Sequence, residues 1–106
     1  MIPCTCLVQE GQISAASEAV LREKLNIFTQ KTFGAEAEIN WIAVPKGGGF
    51  TASKPSTSSI VSMRAPAPID QAERGALLHE LCGFWTAETG QSMNEIVGVI
   101  SDPVTA

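Results

Sequence analysis

Apolar and polar residues alternate from Ile2 to Gln9: Ile2, Cys4, Cys6 and Val8 fall on one side, and Pro3, Thr5, Leu7 and Gln9 on the other. A period of two predicts a half-buried strand, and Glu10-Gly11-Gln12 ends it. Over residues 14–33 the period becomes helical, with Val20, Leu21, Leu25, Ile27 and Phe28 forming the predicted buried stripe. Ser14 is the expected N-cap and Gly34 the residue that ends the helix. Glu18 and Arg22 are spaced to pair one turn apart, and Lys31 complements the dipole in the last turn. Residues 38–44 read as a second strand that Pro45 stops.

Periodicity then lapses. Residues 46–58 carry Gly47-Gly48-Gly49, Lys46, Lys54 and Pro55, and predict a long polar loop. Residues 59–64 form a short third strand, and Ala65-Pro66-Ala67-Pro68 is a stiff connector, because each proline turns its predecessor away from helix. A second helix is predicted over 70–89, opened by the capping box Asp70-Gln71-Ala72-Glu73 and closed by Gly90. Leu77, Leu78, Leu81 and Trp85 are its buried stripe, while Gly75 and Gly83 either weaken it by about 1 kcal/mol each or mark close packing. Residues 95–101 are the last strand, stopped by Asp102-Pro103.

The order β-α-β-β-α-β predicts a single α+β domain over residues 1–106. Its halves, 1–45 and 58–103, match: helices start at 14 and 70, glycines end them at 34 and 90, and Glu-Ile opens the strands that follow at 38–39 and 95–96. Two tandem β-α-β units related by internal duplication explain this match. Right-handed crossovers then give one four-stranded sheet with both helices on one face. The other face carries Leu7, Trp41 or Ile42, and Val97 or Val99, and is too apolar to remain wet, so burial between subunits is expected.

A 44% hydrophobic content supplies a core and argues against disorder. Seven basic and eleven acidic residues give a net charge of −4, which argues against nucleic acid as a partner. No apolar run reaches the roughly 18 residues of a membrane helix, so no membrane partner is expected. The first residues lack the basic start of a secretory signal, and three cysteines are too few for a disulfide framework. A reducing, cytoplasmic setting is therefore expected. Cys4 and Cys6 read as buried thiols, Cys82 is distant, and His79 is the only histidine, expected at an exposed helix edge; no metal or cofactor is predicted. The glycine triplet lacks the lysine-serine pair of a phosphate loop and reads as a hairpin connection. Trp41 and Trp85 read as anchors of the core or of a subunit interface.

Two architectures share this element order, the ferredoxin-like sandwich and the tautomerase superfamily. The chain resembles the second. Residues 1–11 fit its opening strand followed by Glu10-Gly11, Trp41 to Gly49 fit its second strand and glycine-bearing loop, and residues 60–100 resemble the second half of its longer members, near the cis-3-chloroacrylic acid dehalogenases and malonate semialdehyde decarboxylase. The resemblance implies a homotrimer whose sheets line a central barrel. It also implies a pocket where an amino-terminal proline acts as base on a small 2-oxo or unsaturated carboxylic acid, without a cofactor, and arginines hold the carboxylate.

Counted back from Glu10-Gly11, the family's proline falls on Ile2, and the proline present is Pro3. Inside a peptide bond, Pro3 has no basic nitrogen. Isoleucine at position 2 disfavours removal of Met1, so the base would be the Met1 amine, or Pro3 if processing frees it. Gln12 stands where an arginine often follows Glu-Gly, Asn40 falls near the second-strand arginine of the short members, and Ala65 to Ile69 carries no charge. Arg64 remains as the carboxylate anchor, with Lys46 and Lys54 as substitutes from the glycine loop. Three functions follow: a keto-enol tautomerase or related lyase or dehalogenase with Met1 or Pro3 catalytic and Arg64, Lys46 and Asn40 binding substrate; a catalytically silent trimer of the same fold that binds ligands or partners; and a ferredoxin-like binding module with an antiparallel sheet.

Overall fold

The computed structural model describes residues 1–104. Strand β1 (Ile2–Gln9) leads through α1 (Ala15–Phe33) to β2 (Ala37–Val44); a small hairpin, β3 (Phe50–Thr51) and β4 (Lys54–Pro55), precedes β5 (Ser59–Arg64), α2 (Gln71–Thr89) and β6 (Ile96–Ser101). The main sheet runs β2-β1-β5-β6. Within each half the strands are parallel, β1 with β2 and β5 with β6, and only the central β1–β5 pair is antiparallel.

This mixed sheet overturns the ferredoxin-like alternative, whose sheet was expected to be wholly antiparallel. Each helix here returns the chain to the strand beside the one it left, and such a crossover makes the two strands parallel.

The caps form as their residue types dictate. The Ser14 hydroxyl accepts from the Ser17 N–H, and Gly34 takes the left-handed conformation at φ 69°. The Asp70 carboxylate accepts from the Glu73 N–H at 2.8 Å, which is one half of the box expected there. Glu18 and Arg22 pair at 2.9 Å.

Ile2, Cys4, Cys6 and Val8 point into a core completed by Leu21, Leu25, Phe28, Val61, Met63, Leu81, Trp85, Ile96 and Ile100. Ile27 is an exception to the predicted stripe, being 57% exposed. Leu21, Leu25 and Phe28 already occupy the inward face, and one residue of helix turns Ile27 about 100° from Phe28. Trp41 lies on the helix side and stacks on Trp85 at 5.8 Å, so Ile42 is the β2 residue that joins the open face. Arg22 covers the Trp41 ring at 5.6 Å.

The polar loop contains its own turn. Ala52 and Ser53 link β3 and β4 with φ of 52° and 64°. Two consecutive positive φ angles give the tight twist of a two-residue hairpin.

Trp85 is fully buried, stacks on Trp41 and donates from Nε1 to Gln91 Oε1 at 2.9 Å. Trp85→Ala should therefore cost about 3–5 kcal/mol in urea unfolding. Trp41→Ala, on a half-buried edge-strand residue, should cost less than half as much.

Candidate functional site

Alternation along the strands places Pro3, Thr5, Leu7 and Gln9 on the face away from the helices, and register arranges that face in rows. Glu38 stands beside Pro3, and Arg64 beside Ser101. In the next row Asn40, Thr5, Ser62 and Val99 follow one another across the four strands. The third row, Ile42, Leu7, Ile60 and Val97, is wholly apolar. The open face thus changes from charged to hydroxylic to apolar along about 13 Å of strand.

A cavity of about 180 Å³ lies at the polar end, lined by Pro3, Thr5, Ser62, Met63, Arg64 and Ser101. Arg64 is the only cation among the described residues that line it. The ion pairs of the described residues use Arg22, Lys31 and Arg74, so the Arg64 guanidinium has no carboxylate partner among them. The segment that follows Arg64 is fastened from outside the cavity. Arg74 Nη2 donates to Asp102 Oδ1 at 2.6 Å and to the Ile69 carbonyl at 2.9 Å, tying the proline connector to the residue after β6.

Pro3 and Arg64 therefore share one cavity, whereas Asn40 stands beside Thr5 in the next row and does not line it. Met1 is exposed and precedes β1 without lining the cavity. Ile2 is 2% exposed, and its N–H donates to the Glu36 carbonyl at 2.7 Å. Lys46 is not brought to Arg64 within one chain. It lines a separate cavity with Gln9, Glu10, Gln12 and Thr57, beyond the far end of β1 and about 20 Å from Pro3. Lys54 is exposed on β4.

Thr5, Ser62 and Ser101 escaped the sequence reading. Their signal was present in the polar positions of the strand alternation, but strand pairing is needed to bring them together. Also missed was a larger cavity, about 360 Å³, where Phe50 and Asn94 join Leu7, Val44, Ile60 and Val97 over the apolar end.

A polar cluster fixes the loop above that cavity. Gln91 accepts from Trp85 and from the Ser59 hydroxyl, and donates to the Thr57 carbonyl at 2.6 Å. Thr57 donates in turn to Glu95. The Ser92 N–H, and then the Thr57 hydroxyl, hold the Glu95 carboxyl below its usual range.

Cys4 and Cys6 are buried side by side on β1. The hydrogen bond with Cys4, and then burial, push the Cys6 thiol far above its usual range. Among the described residues no three of His, Cys, Asp and Glu are placed to hold a metal ion, and no helix is long and apolar enough to cross a membrane.

No family model and no curated protein sequence matches the chain. Solved structures match it closely in fold. Native Ps01740 is 24% identical with a TM-score of 0.86, over 95% of this chain and 93% of that one. Pt0534, inactivated by 2-oxo-3-pentynoate, is 21% identical with a TM-score of 0.83, over 95% and 85%. A fused 4-OT in the form of a symmetric trimer is 15% identical with a TM-score of 0.82, over 95% and 85%. The chain has the tautomerase fold, two helices packed on a four-stranded mixed sheet.

Burial separates the three thiols, since Cys4 and Cys6 are in the core and Cys82 is only half-buried. A disulfide-exchange reagent such as DTNB should titrate one thiol in the native protein and all three in guanidinium. Rapid native reaction of three thiols would contradict this packing.

Proposed function

We propose that this chain is a tautomerase-superfamily protein whose Arg64 cavity takes a small 2-oxo or unsaturated carboxylic acid. The observation that carries this reading is the Arg64 guanidinium, without a carboxylate partner among the described residues, in a cavity of about 180 Å³ that Pro3 also lines. Arg64 holds the carboxylate through paired N–H donors and polarises the neighbouring 2-oxo group. An amine at the head of the chain then takes the proton of the enol hydroxyl on C2 and returns it to C3, as the C2=C3 double bond becomes the C2 carbonyl. That amine is Met1's, or Pro3's if the first two residues are removed. Inactivation of Pt0534 by a 2-oxo acid supports the substrate class.

Assembly belongs to the same proposal. The fused 4-OT neighbour is a symmetric trimer, and the row of Ile42, Leu7, Ile60 and Val97 is the kind of apolar face that a barrel interior would cover. Light scattering after size exclusion should give a trimer mass. Ile60→Lys combined with Val97→Lys should yield a folded monomer, because three copies of each charge would meet in that interior. A wild-type monomer would count against the assembly.

A second reading, the catalytically silent ligand-binding trimer, has its own observation. Pro3 lies within β1, so its nitrogen is an amide, and the backbone N–H of Ile2 is committed to Glu36. Enol-to-keto conversion of phenylenolpyruvate separates the two. Turnover above the buffer rate, with KM raised at least about tenfold by Arg64→Ala, supports the enzyme. Buffer-rate conversion across pH 6–9, with 2-oxo acid binding that Arg64→Ala abolishes, supports the silent trimer. Intact-mass measurement identifies which amine is free.

A further inference from the structure

The second row of the open face has a consequence for ligand choice. Thr5 and Ser62 are paired across β1 and β5, and Asn40 stands beside Thr5 on β2. Thr5 and Ser62 line the same cavity as Arg64. Two residues of strand separate this row from the Arg64 row, about 6.6 Å. One row further, Leu7 and Ile60 are paired and close the polar zone with apolar side chains.

An extended acid with its carboxylate on Arg64 and its chain directed along β1 and β5 meets these rows in order. Its third or fourth carbon falls over Thr5 and Ser62, and its end meets Leu7 and Ile60. Hydroxyls both donate and accept hydrogen bonds, and the Asn40 amide does the same. A methylene held over this row would strip water from the Thr5 and Ser62 hydroxyls without replacing its bonds, whereas a hydroxyl restores them. Charge sets a second limit. Arg64 is the only cation among the described residues that line the cavity, and Glu38 pairs with Pro3 on the neighbouring strand. A second carboxylate on the ligand would find no cationic partner in the cavity.

We infer that the cavity selects short monocarboxylic 2-oxo acids carrying a hydroxyl on the third or fourth carbon, and that Thr5 and Ser62 are the residues that read it. This rests on the proposed role of Arg64 as carboxylate anchor and adds to it the chemistry of the rest of the ligand. It does not require turnover.

Titration calorimetry with 4-hydroxy-2-oxopentanoate and 2-oxopentanoate tests it on the wild-type protein. The hydroxylated acid should bind about three- to tenfold more tightly, the yield of one neutral hydrogen bond or two. Thr5→Val keeps the shape of the side chain, and should reduce that preference at least twofold, in part by tightening 2-oxopentanoate, whose methylene then no longer strips water from a hydroxyl. Ser62→Ala should act in the same direction. Arg64→Ala should weaken both acids together. Equal wild-type affinities, with both still lost in Arg64→Ala, would overturn the hydroxyl preference and leave the anchor standing. A preference unchanged in the Thr5→Val, Ser62→Ala double variant would overturn the assignment to these residues. Binding of neither acid would overturn the anchor and the preference together.

Discussion

The antiparallel pairing of β1 with β5 is the contact from which the rest of the structure takes its geometry. It runs from Cys4 opposite Met63 to Leu7 opposite Ile60 and joins two parallel β-α-β units into one sheet. A slip of one residue would turn Ile2, Cys4, Cys6 and Val8 outward and press Thr5 and Gln9 against the helices. The hydrophobic core therefore enforces the register. The same register brings the end of β5, and with it Arg64, to the beginning of β1. Core packing on one face thus determines which side chains meet on the other, although the two sets share no atoms.

Proline in a central strand normally breaks a ladder, because it has no N–H to donate. Pro3 avoids most of that cost by position. It stands one residue before the first antiparallel pair, and its neighbour Ile2 makes the bond to Glu36 that begins the parallel ladder. The price is paid in chemistry: a residue so placed has an amide nitrogen and contributes shape to the cavity, not basicity. On the proposed function, anchor and base are then separate problems: the anchor, Arg64, is built into the sheet, while the base comes from the head of the chain.

How much of this was legible in the sequence follows from what each feature depends on. Strand alternation, helix stripes and caps are local, and β1, α1, β5, α2 and β6 lie within a residue or so of their expected bounds. Ile27 was misjudged because a stripe drawn from hydrophobicity alone is wider than the face a helix can bury. The glycine triplet reads as a hairpin connection, but the short β3–β4 pair beyond it was not placed, because Ala52 and Ser53 adopt positive φ without a glycine to signal it. Pro3, Asn40 and Arg64 could be nominated from sequence, yet their common face became visible only through the pairing of β2, β1 and β5. Lys46 shows the converse. Chemically it is a good carboxylate ligand, but it follows β2 at the opposite end of the sheet from Arg64, and no local pattern encodes that distance.

The graded face also bears on how a site and an assembly surface can share one sheet. An apolar row buried between subunits excludes water from its neighbours, and a guanidinium at the border of such a region interacts more strongly with a carboxylate than one in open solvent. Thr5 and Ser62 sit at that border, two residues along their strands from Leu7 and Ile60, and Arg64 lies two residues further along β5. If trimerisation covers the apolar end, it strengthens the anchor without moving it. A monomer with the same cavity would leave Arg64 exposed to water and salt, and ligand affinity would fall with ionic strength. On this argument assembly and ligand binding are coupled through solvent exclusion, and the coupling needs no conformational change within the chain.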